Sequence, residues 1–202
     1  MPLASVITVQ PLIEPVGVDE LGAHLRLLVE DQAREAVELA ALIKTARQYV
    51  EAFTARQLIE ATYEFACDVF PSQNRDILLP APPLISVTTI TYVDEDGAGQ
   101  TLAASEYLVD TRVEPGRVRL NFDKEWPATR LDPSGIVVTY KAGYGTTEAA
   151  VPEVFRHAVR LLASHWYEHR EAVQILERGQ TVEVLPVAVA DLLWPERILE
   201  VA

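Results

Sequence analysis

The chain has 202 residues, 49% of them hydrophobic and 23% charged, with 30 acidic against 17 basic side chains and a formal net charge of −13. This is the balance of a globular protein, long enough to bury roughly 70% of its unfolded surface, and its negative charge excludes purely electrostatic attachment to DNA phosphates or anionic lipid headgroups. The one cysteine, Cys67, excludes an internal disulfide and a thiolate zinc cluster, and no apolar run approaches the ~20 residues that a membrane span needs.

The first fifteen residues carry prolines at 2, 11 and 15 and little periodicity, so an N-terminal arm is expected over 1–15. In VDELGAHLRLL, Leu21, Leu25 and Leu28 recur at helical spacing and predict a short amphipathic helix. Gly17 stands at its cap position and Gly22 interrupts it, each a weakening by up to ~1 kcal/mol. A longer helix follows, with Asp31 as its candidate cap. Ala36, Leu39, Ile43, Ala46, Val50 and Phe53 form one stripe of about five turns at ~3.6 residues per turn. Arg34, Glu38, Lys44, Arg47, Gln48 and Glu51 fall on the opposite face.

From residue 60 the pattern changes to strands. TYEFACDVF alternates, and places Cys67 as a small core hydrophobe. ISVTTITYV is rich in β-branched residues. DEDG at 94–97 and Pro115-Gly116 are turns; YLVDT, RVRL and GIVVTYKAGYG are further strands. Six or so strands at hairpin spacing with no helix between them predict an antiparallel block, a small sandwich or curled sheet. Helical spacing returns with Phe155, Val159, Leu162, Trp166 and Val173, predicting a helix over about 152–172, with Thr147 and Glu148 as candidate caps and Pro152 in its first turn. TVEVLP is extended, VAVADLLW is a last short helix, and Pro195 stops it. The predicted class is α+β: a helical bundle of two N-terminal helices, one long C-terminal helix and one short terminal helix, with the β block inserted at about 60–145.

One stretch carries the pattern of a metal site. His165, Trp166, Tyr167, Glu168 and His169 spell H-x-x-E-H, the form of an inverted zincin motif. On a helix the two imidazoles share a face and can reach one ion. A catalytic zinc needs a third protein ligand; His24, His157, Glu171, Glu177 and Glu183 are available, and nothing singles one out. With Phe155 at the centre of the apolar stripe, His169 falls near its middle and His165 at its edge, which makes the pair part of a packing surface instead. AGYGTT at 142–147 lacks the lysine of a phosphate loop and predicts positive φ at Gly143 or Gly145 at a strand exit. Asp94, Glu95 and Asp96 can attract calcium or be a solvated hairpin tip. Tyr63, Tyr92, Tyr107 and Tyr140 can be a binding platform or strand core.

Taken in order, VDELGAHLRL, LIKTARQYVEAFTARQLIEATYEF, LPAPPLISVTTITYVDEDG, YLVDT, PGRVRL, WP, VVTYKAGYG, VPEVFRHAVRLLASHWYEHREA and LL-x-P-x-R resemble the head–tail connector, or adaptor and head-completion, proteins of tailed phages and phage-like gene transfer agents, over about 16–197. The HWYEH letters match that wording without zinc. The resemblance implies a non-catalytic structural protein without a cofactor. It implies a ring of copies, dodecameric in the family, between the portal and the tail-side connector or stopper, with DNA passing through and not bound by sequence. It places the protein in the bacterial host cytoplasm during assembly and then at the head–tail vertex, with no membrane partner. A single connector domain is expected over 16–179 and a portal-docking segment over 180–202, hinged at Gly179, with Val182, Val184, Leu185, Leu192, Leu193 and Trp194 as apolar anchors. Leu192, Leu193 and Trp194 capping the helical core is the alternative. A metal-dependent hydrolase built on the HWYEH helix and a β-sandwich binding module remain the competing functions.

Overall fold

The computed structural model describes residues 4–72, 75–169 and 187–198. The chain divides into two compact units, one of residues 1–12 with 59–145, the other of 13–58 with 146–202. Among the described residues the elements of the first are strands and those of the second helices, so the α+β class with an inserted antiparallel β block holds.

Among its described residues the β unit has eight strands: β1 Ala4–Val9, β2 Ala61–Cys67, β3 Ile77–Leu79, β4 Leu84–Val93, β5 Gly99–Thr101, β6 Tyr107–Asp110, β7 Gly116–Leu120 and β8 Ile136–Ala142. They form a five-stranded sheet ordered β1-β2-β8-β4-β5 and a three-stranded sheet ordered β3-β7-β6, every pairing antiparallel. Alternation decides which side chains point inward. In β8 Ile136, Val138, Tyr140 and Ala142 are buried and the residues between them half-buried; in β2 Ala61, Tyr63 and Phe65 turn inward. These join Ile77, Leu79, Tyr107 and Val118 of the smaller sheet in one apolar core, so of the two forms the sequence leaves open, small sandwich or curled sheet, the two-sheet form is the one present.

Turn chemistry fixes the connections. Gly97 takes φ +86 at the β4–β5 hairpin, where Asp94 Oδ1 accepts from the Ala98 N–H at 2.8 Å and Oδ2 from Gln100 at 2.9 Å. Gly143 takes φ +126 and Gly145 φ +153 at the exit of β8, as expected. A Cβ at Gly143 would stand 2.7 Å from the backbone of Ile59 and Glu60, so space and dihedral both require glycine.

Two strands depart from the sequence reading. Residues 4–9, expected as irregular arm, are β1, paired with β2 from Ala4↔Ala66 to Val9↔Thr62. ASVITV is β-branched enough to extend, but its partner lies more than fifty residues downstream, and the flanking prolines mask it locally. β3, three residues long, is too short for periodicity to register.

The helical unit holds α1 Val18–His24, α2 Val29–Thr54, α3 Glu153–Glu168 and α4 Val187–Leu193. α1 stops before Leu28, which is 71% exposed, because Arg26 turns to φ +58. Gly22 is no defect: the Gln32 side chain lies where its Cβ would be and donates to the Leu27 carbonyl at 3.0 Å. Asp31 is not a cap but sits inside the first turn of α2, paired with Arg34 at 3.3 Å. Pro152 precedes α3 as its cap residue, and neither Thr147 nor Glu148 caps it; they begin a separate 3₁₀ turn, Glu148–Ala150. Leu39, Ile43, Ala46 and Val50 of α2 and Phe155, Val159 and Leu162 of α3 are buried as the stripes predict, and Ala158 joins them. Val173 lies outside the described residues.

Candidate functional site

Four of the docking positions, Gly179, Val182, Val184 and Leu185, lie outside the described residues. The other three separate. Leu193 is fully buried, Leu192 half-buried and Trp194 64% exposed. Leu193 and Val189, both at 0% exposure, anchor α4 in the helical core; of the three described docking positions Trp194 is the exposed one.

Its support is specific. α4 runs into a 3₁₀ turn, Trp194–Glu196, with Pro195 inside it. The end of α2 leaves carbonyls without helical partners, a partial negative charge that attracts cations. Arg197 meets that need: its Nε donates to the Phe53 carbonyl at 3.0 Å, and its guanidinium lies 4.9 Å from the Phe53 ring and 5.1 Å from the Trp194 ring. The Ile198 N–H donates to the Thr54 carbonyl at 3.0 Å, and Arg56 returns a bond to the Glu196 carbonyl at 2.7 Å. An exposed indole held from beneath in this way loses little freedom when a partner covers it.

The HWYEH helix resolves differently from its letters. α3 ends at Glu168, and His169, the cap residue, has left helical geometry and is exposed, not central to the apolar stripe. His165 is half-buried; the two rings stand 4.5 Å apart, with His169 Nδ1 2.9 Å from the His165 carbonyl oxygen. Among the described residues no three His, Cys, Asp or Glu side chains gather as a metal site. Trp166 packs edge-on against Tyr49 at 6.2 Å, and the Tyr167 hydroxyl donates to Glu35 at 2.7 Å. Both thus fasten α3 to α2.

A charged cluster in the same unit was not legible as such. Arg47, assigned by spacing to the polar face, is 2% exposed. Its guanidinium donates to Glu14 and to Glu51, each at 2.6 Å. Glu51 also accepts from Gln57 at 2.8 Å and from the Leu58 N–H at 3.1 Å. Burial pushes the Glu51 carboxyl from its ordinary 4.5 up to about 7, against the pull of Arg47. Burial also opposes the Arg47 charge, but its two carboxylate partners outweigh it and raise its pKa. The available signal was the Arg47–Glu51 spacing of four; Glu14 lies in the irregular segment before α1. A second cluster joins α1 to α3: Arg156 donates to Glu20 at 2.7 Å and to the Pro15 carbonyl at 3.0 Å, and Arg160 pairs with both Glu20 and Glu153.

The tyrosines of the β unit are core instead of platform. Tyr63 and Tyr140 stack at 5.4 Å, and the Tyr140 hydroxyl donates to the Pro80 carbonyl at 2.9 Å. Tyr107 is buried, and Tyr92 meets Phe70 edge-on at 5.9 Å. Cys67, at the end of β2, is half-buried, and burial raises its thiol pKa. Both Asp94 oxygens already accept hydrogen bonds within the hairpin.

A strand-built unit interrupts a helix-built one, and chains from the necks of gene transfer agent particles share this fold end to end, which supports a protein of phage head–tail connector type. Known structures carry the comparison. The chain is similar, at 25% identity and TM-score 0.74, to a chain in the neck of an empty gene transfer agent particle computed with C6 symmetry. The same identity and TM-score relate it to a chain in the virion of a native gene transfer agent particle. A chain in the neck of a native particle computed with C12 symmetry shares the fold at 24% identity and TM-score 0.71. Each likeness covers 100% of this chain and 98% of the other. No protein-family model matches the chain, and no curated protein does.

Proposed function

We propose that this chain is a structural component of a particle neck. Copies form a ring between portal and tail, continue the DNA channel, and offer a surface to the next tail-side protein. The observation that carries the reading is end-to-end likeness to chains from gene transfer agent particles, one of them in a neck computed with C6 symmetry. The net charge of −13 suits a channel wall that DNA passes without adhering. The reading gives the chain no catalytic role and places it in the assembled particle.

Portal docking is assigned to the C-terminal segment, 180–202, with Trp194 as its exposed anchor. Removing that whole segment is a poor test, because Val189 and Leu193 belong to the helical core. The better experiment mixes the full chain with its cognate portal ring and images the product by electron microscopy, beside a Trp194→Ala variant. A ring of added density with the native chain, lost or thinned in the variant, is expected. Portal rings left bare by the native chain would sink the reading; equal binding by the variant would remove only the tryptophan's role.

A further inference from the structure

A strand at the margin of a sheet carries unpaired N–H and C=O groups that can accept another strand, and globular proteins guard such margins with brevity, charge or proline. In the β unit, β3 and β5 are three residues long and β6 four. Charge adds to the guard at the smaller sheet: Asp76, beside β3, pairs with Arg117 and Arg119, and Asp110 ends β6.

Two margins have neither brevity nor charge to guard them. β1 is six residues long and ends the larger sheet on one side. On the other side β5 pairs with Thr91–Val93 and the Leu102 N–H donates to the Ile90 carbonyl at 2.8 Å, so it is the stretch of β4 before Ile90 that has no strand beyond it among the described residues. Residues 4–10 read ASVITVQ and residues 84–89 read LISVTT, with no charge and no proline in a chain that is 23% charged. Val6 and Val9 are 61% and 54% exposed, and Ile85 is 37% exposed.

We propose that these two margins join copies of this chain, β1 of one alongside the 84–89 stretch of the next; this deepens the ring reading and rests on it. The two margins lie on opposite sides of one sheet, so their union is head-to-tail and repeats around an axis. A cyclic assembly is built from such contacts, and similar chains come from particles computed with C6 and C12 symmetry. Copies that each carry −13 repel, and an uncharged seam brings them together without placing like charges at the contact. Main-chain hydrogen bonds supply the contact, as in strand addition generally. Register shifts between Ile7 and Val9, and between Leu84 and Ser86 and Val87 and Thr89, bend both margins. That curvature opposes the flat, open-ended stacking of unguarded strands.

The test places Val6→Cys and Ser86→Cys together in a full-length Cys67→Ser chain, assembled on the cognate portal and treated with a short flexible bismaleimide. Denaturing electrophoresis is expected to show a ladder of covalent multimers from the double variant and nothing beyond a dimer from either single one. Native rings on the portal together with no such ladder would overturn the seam and leave the ring reading intact. Absence of native rings would overturn both. A second pair, Val6→Lys and Ser86→Lys, guards against a cysteine variant that misfolds. Each is expected to keep the native melting curve and lose the ring, and a lysine variant that assembles like the native chain also overturns the seam.

Discussion

Arg47 shows how one buried charge organises its surroundings. A guanidinium at 2% exposure is tolerable only because Glu14 and Glu51 complete it. Arg47→Met leaves two carboxylates facing each other in a half-dry site, and a loss of about 3–5 kcal/mol in urea unfolding is expected. Glu51 makes that loss depend on pH. Its folded pKa is raised, so its contribution to stability is fully present below 4.5 and is lost as pH rises through about 7. Melting temperatures of native and Glu51→Gln chains between pH 5 and 8 check this: the native curve falls with pH by an increment that the variant lacks. An identical slope in both would show that Glu51 does not titrate there. The arginine's burial was hidden in the sequence because Glu14 lies 33 residues away. Periodicity reports which face a residue occupies, not what the opposite element brings to meet it.

At the scale of the element, α4 and the turn after it divide into an anchor and an exposed tip. Leu193→Ala opens a cavity in the helical core and is expected to cost about 2–5 kcal/mol. Trp194→Ala, one residue on, is expected to change stability by only about 0.5 kcal/mol, since the indole is mostly in water. Denaturant unfolding of the pair checks the contrast. In the β unit, Gly143→Ala forces a Cβ against backbone at a dihedral that alanine avoids, a loss of about 1–3 kcal/mol by the same measurement. Elements whose signal is local were legible: the alternation of β2 and β8, the stripes of α2 and α3, the glycines after β8. Those set by distant partners were not. β1 is a strand because β2 receives it, and the early end of α1 follows from a backbone turn at Arg26 that no hydrophobic spacing announces. The same limit explains the candidate site. HWYEH drew attention by its letters, but the end of α3 at Glu168 decides where His169 points. The exposed tryptophan stood among the apolar anchors, and the cradle beneath it, Arg197 between two aromatic rings, depends on α2 arriving there.

For the whole molecule the governing quantity is charge. In the proposed ring, copies bearing −13 each meet against their own repulsion, which salt screens over about 8–10 Å at physiological strength. If the ring reading is right, self-association followed by sedimentation strengthens as salt rises from low concentration. A ring held mainly by ion pairs would weaken instead.

The path of the chain through its two units also bears on engineering. Residues 59–145 leave and rejoin the helical unit with their ends tied, the Glu60 N–H bonded to the Gly145 carbonyl at 2.9 Å. That closeness invites grafting the block into another host as a cassette. The cassette would be incomplete, because its outermost strand is spelled by the first residues of the chain. A graft carrying only 59–145 would present β2 as a raw edge, so a working transplant must either bring residues 4–9 on a tether or redesign β2 to stand at the margin.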